Sequence, residues 1–124
     1  MRLLLDAHVV IWWLADDAAL SDDVKRLLDE EPDVYLSAAT VWEIAIKQAL
    51  GKLQEPPGLA DIARRVGFRE LPITSAHAIE AARLPMFHRD PFDRMLVAQA
   101  RSDGLTLVTR DPAILKYEVA VLPA

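Results

Sequence analysis

The chain has 124 residues, enough for one ordinary hydrophobic core and too few for two. Hydrophobic residues make up 52% and aromatic residues 6%, which suits a sheet covered on both faces and leaves apolar surface fit for self-association. A net charge of −5 excludes a broad basic face that coats nucleic acid nonspecifically, though not a local basic rim, and the absence of cysteine excludes disulfides and thiolate metal sites and agrees with a reducing cytoplasm.

RLLLD (2–6) is a short apolar run ended by an acid, and the AHVVIWWLA that follows is too uniformly apolar for a surface helix. A buried strand leading into a buried helix is expected. Asp6 interrupts the apolar start and no small-x-small cleavage site follows, which separates this segment from a signal peptide. Adjacent helical positions cannot share one face, so one of Trp12 and Trp13 is expected in the core and the other free for a partner.

SDDVKRLLDEE (21–31) is amphipathic, with Ser21 as its cap and acids in its first turn. DVYLS (33–37) predicts a strand, and AATVWEIAIKQALGKL a helix that stops near Gly51. QEPPG (54–58) predicts a turn too brief for a domain boundary. Next come a helix in GLADIARRVG, a strand in FRELPI, and a helix in SAHAIEAARLP closed by Pro85. HRDPFDRMLVAQA opens another helix, and LTLVT (105–109) and YEVAVL (117–122) predict the last strands. No apolar run reaches the roughly 18 residues that cross a membrane. Alternating strands and helices imply βαβ crossovers, hence a mostly parallel sheet in one three-layer α/β/α domain spanning residues 1–124.

The acids invite two readings. Singly, each has an ordinary local explanation. Asp90 suits an N-cap with Pro91 at the first helical position and Asp93 at the third, facing the helix dipole. Thr40 and Glu43 match the capping-box spacing, Asp111-Pro112 repeats the Asp-Pro helix start, and Asp6 stands where a cap belongs. Jointly, Asp6, Glu43, Asp93 and Asp111 all fall at strand ends or helix starts, which lie on one edge of a parallel sheet. Capping does not require the acids to converge. Converging carboxylates repel unless a cation compensates, and oxygen donors without a His/Cys cluster favour Mg²⁺, with Mn²⁺ as a substitute, over zinc. His8, His77 and His88 show no ligand spacing and read as surface or packing residues. A carboxylate–metal cluster suits phosphoryl chemistry and needs no phosphate-binding glycine loop, which a chain with four glycines lacks.

Three segments, LLLDAHVVIWWL, SAATVWEIAIKQALGKL and HRDPFDRMLVAQARSDGLTLVTRD, resemble in order and spacing the PIN-domain ribonucleases, and within them the VapC-type toxins of toxin–antitoxin pairs. The resemblance covers nearly the full length. It implies a five-stranded parallel sheet, a metal site of Asp6, Glu43, Asp93 and Asp111 with Thr109 beside it, and Mg²⁺-dependent RNA hydrolysis. It also implies a cytoplasmic protein, a cognate antitoxin whose C-terminal segment covers the cleft, and a homodimer. Asp90 divides from Asp93 under this reading, one capping the helix or supporting the site and the other facing the metal.

Other readings stay open at this point: a nuclease acting on DNA or structured nucleic acid, a phospho-receiver-like signalling module, and a noncatalytic interaction module. A receiver calls for an adjacent acidic pair after the first strand, whereas Asp6 is followed by Ala7. Around the acids, Lys47 stands at ion-pair spacing from Glu43, or contacts phosphate or the metal site. Arg89, Arg94 and Arg110 are either solvated or grip RNA phosphates. Ser37 and Gln99 are candidate hydrogen-bonding neighbours.

Overall fold

The computed structural model describes residues 1–53 and 58–124; of the turn expected over QEPPG, residues 54–57 lie outside the described residues. Five strands, β1 (Leu3–Leu5), β2 (Val34–Ser37), β3 (Arg69–Leu71), β4 (Thr106–Thr109) and β5 (Val121–Pro123), form one sheet in the order β3-β2-β1-β4-β5. Every pairing is parallel. Helices α1 (Ala7–Leu14), α2 (Asp22–Glu30), α3 (Ala38–Ala49), α4 (Leu59–Arg65), α5 (Ser75–Arg83) and α6 (Pro91–Asp103) connect them, with a 3-10 turn at Ile114–Lys116.

The period-two geometry of a strand divides the core between the two faces of the sheet. Leu3, Leu5, Val34, Leu36 and Val108 point into the cluster packed by α1, α2, α3 and α4. Leu4 and Leu107 point into the opposite cluster, with Leu96, Val97 and Ala100 of α6 and Leu84 beyond α5. All three leucines of β1 are fully buried, as the centre of a sheet covered on both faces requires. Leu4→Ala would remove packing worth about 2–5 kcal/mol.

The helix starts carry their own signals. Ser21 caps α2 by accepting from the Val24 amide, and Asp90 caps α6 by accepting from the amides of Phe92 and Asp93, with Pro91 following it. Gly104 closes α6 at φ +67, a left-handed conformation that costs glycine least. Three expectations fail. Ser37, not Thr40, caps α3, so the Thr40–Glu43 spacing is no capping box. A capping box forms instead at Thr74 and His77, where imidazole Nδ1 takes the role usually played by Glu or Gln. The last strand starts at Val121 rather than near Tyr117, because Tyr117 turns into the core beneath α6 and its hydroxyl donates to Pro85 O. The Asp111-Pro112 step starts no α-helix; Asp111 Oδ1 accepts from the Ala113 amide just before the 3-10 turn.

No described helix is long and apolar enough to cross a membrane. In this sheet order the chain leaves β1 toward β2 on one side and returns at β4 on the other. The carboxyl ends of β1 and β4 therefore flank the point where the winding reverses, which is where open α/β sheets hold their ligands.

Candidate metal centre

Asp6 follows β1 directly and caps α1, accepting from the His8 amide at 3.1 Å through Oδ1. Its other oxygen accepts from the Thr109 hydroxyl at 2.6 Å. Thr109 ends β4, and its Oγ1 accepts in turn from the Asp111 amide at 3.1 Å, so one hydroxyl ties the two strand ends together. Burial works to raise the Asp6 carboxyl, but the His8 ring, the Thr109 hydroxyl and the His8 amide hold it below its ordinary range. The His8 ring, 3.7 Å from Asp6 Oδ1, is raised in return by that carboxylate.

Asp93 enters from the first turn of α6, aimed by the Asp90 cap. It is 9% exposed, and its pKa is pushed up to about 7 by burial first and then by the charges of Asp6 and Asp90; Glu43 adds to the rise and His88 opposes it. Glu43 reaches in from α3; its Oε2 pairs with Lys47 Nζ at 3.0 Å, and its Oε1 is buried with no hydrogen-bond partner. The helix ion pair expected between Glu43 and Lys47 is thus present.

The tightest set of donors differs from the expectation. His88 Nε2 lies 2.8 Å from Asp93 Oδ2 and 3.2 Å from Asp111 Oδ2, and His88, Asp93 and Asp111 each offer a ligand atom within 4.8 Å of the others. His88 is therefore part of the acid cluster and not a surface or packing residue. The Asp90 amide donates to its Nδ1 at 3.4 Å, which assigns the proton to Nε2 and makes the ring a donor to both carboxylates. A ligating histidine needs the opposite arrangement, with its second nitrogen donating. His88 thus holds Asp93 and Asp111 together as a bridge. Asp6 and Glu43 stand outside that trio and reach Asp93 through their charges.

Other expected neighbours have different occupations. Arg94 spends its guanidinium on Ala81 O, Leu84 O, Pro85 O, His88 O and the Tyr117 hydroxyl, so a phosphate-gripping role is overturned. Arg110 donates to Ala19 O and lies over the Trp12 ring at 4.3 Å. Arg89 is exposed beside Glu43, Lys47 and Phe92 on the cleft wall. Ser37 and Gln99 bond to each other at 2.6 Å away from the acids, and Gln99 continues to Pro72 O. Neither tryptophan is fully buried: Trp12 sits under Arg110, while Trp13 packs on Phe68 and donates to Asp29. His77 is a packing residue as expected, buried against Asp103.

Whether these residues suit a divalent cation can be judged from the protein alone. A buried carboxylate oxygen without a partner, and a carboxyl pushed up to about 7 by burial first and by its acidic neighbours second, both mark missing positive charge. The donors are mainly carboxylate oxygens, the chemistry of a hard cation. The residues fit.

Residues 3–120 match the PIN domain family model. Ribonuclease VapC22 of Mycobacterium tuberculosis is 33% identical over 117 residues, covering 88% of this chain and 86% of that protein. The crystal structure of FitAcB from Neisseria gonorrhoeae superposes with a TM-score of 0.70 at 28% identity, over 98% of this chain and 96% of that one. DNA-bound VapBC from Salmonella typhimurium gives a TM-score of 0.72 at 15% identity, over 99% and 98% of the two chains, a likeness of fold. Strand order, the acids at the sheet edge and a family match over almost the whole length agree, and the chain belongs to the PIN-domain family, as a member of its VapC type.

Proposed function

We propose that the protein is a metal-dependent endoribonuclease, the toxin of a toxin–antitoxin pair. One observation carries the reading: carboxylates from four separate segments, Asp6, Glu43, Asp93 and Asp111, gather where the sheet reverses its winding, and Asp93 there lacks compensating charge. The similarity to Ribonuclease VapC22 supports RNA as the substrate.

Asp6, Glu43, Asp93 and Asp111 are the residues that would hold one or two Mg²⁺ ions, with Mn²⁺ as a substitute. An ion held there would supply Lewis-acid activation of a water and charge neutralisation at the phosphodiester, the chemistry of a hydrolysis that leaves 5′-phosphate and 3′-hydroxyl ends. Thr109 fixes the rotamer of Asp6, Asp90 sets the direction of Asp93, and Lys47 holds one oxygen of Glu43. Arg89, exposed on the cleft wall, meets the RNA backbone. Because this route does not use the 2′-hydroxyl as nucleophile, preference for RNA comes from shape and contacts.

The VapC relationship supports a cognate antitoxin that silences the enzyme by covering the cleft in the cytoplasm. Trp42 and Leu50, 62% and 63% exposed on or just beyond α3, supply apolar surface for a homodimer.

Purified wild type, Asp6→Asn and Asp93→Asn would be compared on RNA, single-stranded DNA and duplex DNA with Mg²⁺ or EDTA. We expect Mg²⁺-dependent cleavage of RNA by the wild type and a loss of about 10³-fold or more in both variants. Full activity in either variant, or in EDTA, overturns the metal mechanism. Preferential cleavage of DNA overturns the substrate.

A further inference from the structure

Among the described residues, two buried side-chain atoms have no hydrogen-bond partner, Thr40 Oγ1 and Glu43 Oε1. Both belong to α3, three residues apart, which places them on one face of the helix and one turn from each other. Thr40 is 1% exposed. Its hydroxyl does no work for the helix, because Ser37 Oγ already accepts from the Ala39 amide and a threonine in a first turn usually bonds a nearby backbone group. Valine has nearly the same shape and would spare the fold an unanswered buried hydroxyl. A polar group kept under those conditions points to a ligand that the fold itself does not supply.

Glu43 directs one oxygen to Lys47, and its other oxygen is buried without a partner one helical turn from Thr40 in the chain. A hydroxyl both donates and accepts, so it can serve a carboxylate and a hydrated cation together. We propose that Thr40 is a positioning residue of the metal centre, its hydroxyl and Glu43 Oε1 forming a polar notch that engages a hydrated divalent ion. The inference rests on the metal-dependent reading above, and the experiment separates the two.

Mn²⁺ affinity would be measured by calorimetry for the wild type, Thr40→Val and Thr40→Ser, alongside the melting temperature of each in EDTA. Thr40→Val should melt about 2–4 °C higher without metal and bind Mn²⁺ about tenfold more weakly, while Thr40→Ser keeps wild-type affinity. Unchanged Mn²⁺ affinity in Thr40→Val overturns the role of Thr40 alone. A lower melting temperature for Thr40→Val also overturns it, because the hydroxyl would then have a structural partner, and tenfold weaker binding by Thr40→Ser would assign the effect to shape. No Mn²⁺ binding by the wild type would overturn the metal reading itself.

Discussion

Helices α3 and α6 meet at two polar clusters, one around Ser37, Gln99, His77 and Asp103, the other around Glu43, Asp93, Asp111 and His88, each with a buried centre and a half-buried edge. In the first, donors meet acceptors: Ser37 donates to Gln99 and accepts from Ala39, Gln99 donates to Pro72 O, and His77 accepts from Thr74 and faces Asp103. In the second, carboxylates outnumber donors, one oxygen of Glu43 is stranded, and Asp93 is driven up to about 7. The same two helices therefore complete one network and leave the other short of positive charge. Shortage confined to the sheet edge is what separates a site from a structural network.

Dismantling the completed cluster should have the largest effect on stability. Gln99→Ala strands the Ser37 proton and Pro72 O and opens a cavity, and should cost about 2–4 kcal/mol, read from the urea midpoint. Cleavage per folded molecule should not change; a further loss would show that the two clusters act as one.

At the cleft the sign reverses. The native state holds the Asp93 proton more tightly than the unfolded chain, so ionising Asp93 lowers stability above pH 7, and that penalty disappears as pH falls toward 3.8. Asp93→Asn should therefore melt about 3–8 °C higher than wild type at pH 8 in EDTA and nearly equal to it at pH 4. Excess Mg²⁺ should raise the wild type and leave the variant in place. A variant less stable than wild type at pH 8 would show that His88 already compensates the acids fully.

The smallest expected effect divides cap from ligand. Asp90→Ser keeps a capping oxygen and should stay within about 0.5 kcal/mol of wild type, while Asp90→Ala should lose about 1 kcal/mol by thermal melts. Both should keep wild-type Mn²⁺ affinity. A collapse of affinity in Asp90→Ser would make Asp90 a ligand.

The sheet was legible because LLL, VYLS and TLVT are short apolar runs at strand length, and the helices because Ser21 and Asp90 mark their starts. β5 was misplaced because the apolar run YEVAVL looks alike whether a residue pairs or packs, and Tyr117 packs. Of the candidate site, the acids could be found because each follows a strand or opens a helix. His88 was missed because ligand spacing along the chain says nothing of a ring that meets acids 5 and 23 residues away. Its one available signal was its place two residues before a helix cap. Arg94 was misread for a related reason: an arginine beside an acid looks the same whether it faces solvent or the open end of a helix.

The five hydrogen bonds from Arg94 bear on how the segment between α5 and α6 moves. That stretch belongs to no ladder, yet its carbonyls are fastened to a side chain of α6, and the His88 amide to the Tyr117 hydroxyl. To open it, the guanidinium must release its acceptors together, so the His88 amide should exchange its hydrogen on the schedule of α6 and not of a loop. The bridging imidazole rides on a part of the chain that is irregular in shape and rigid in time.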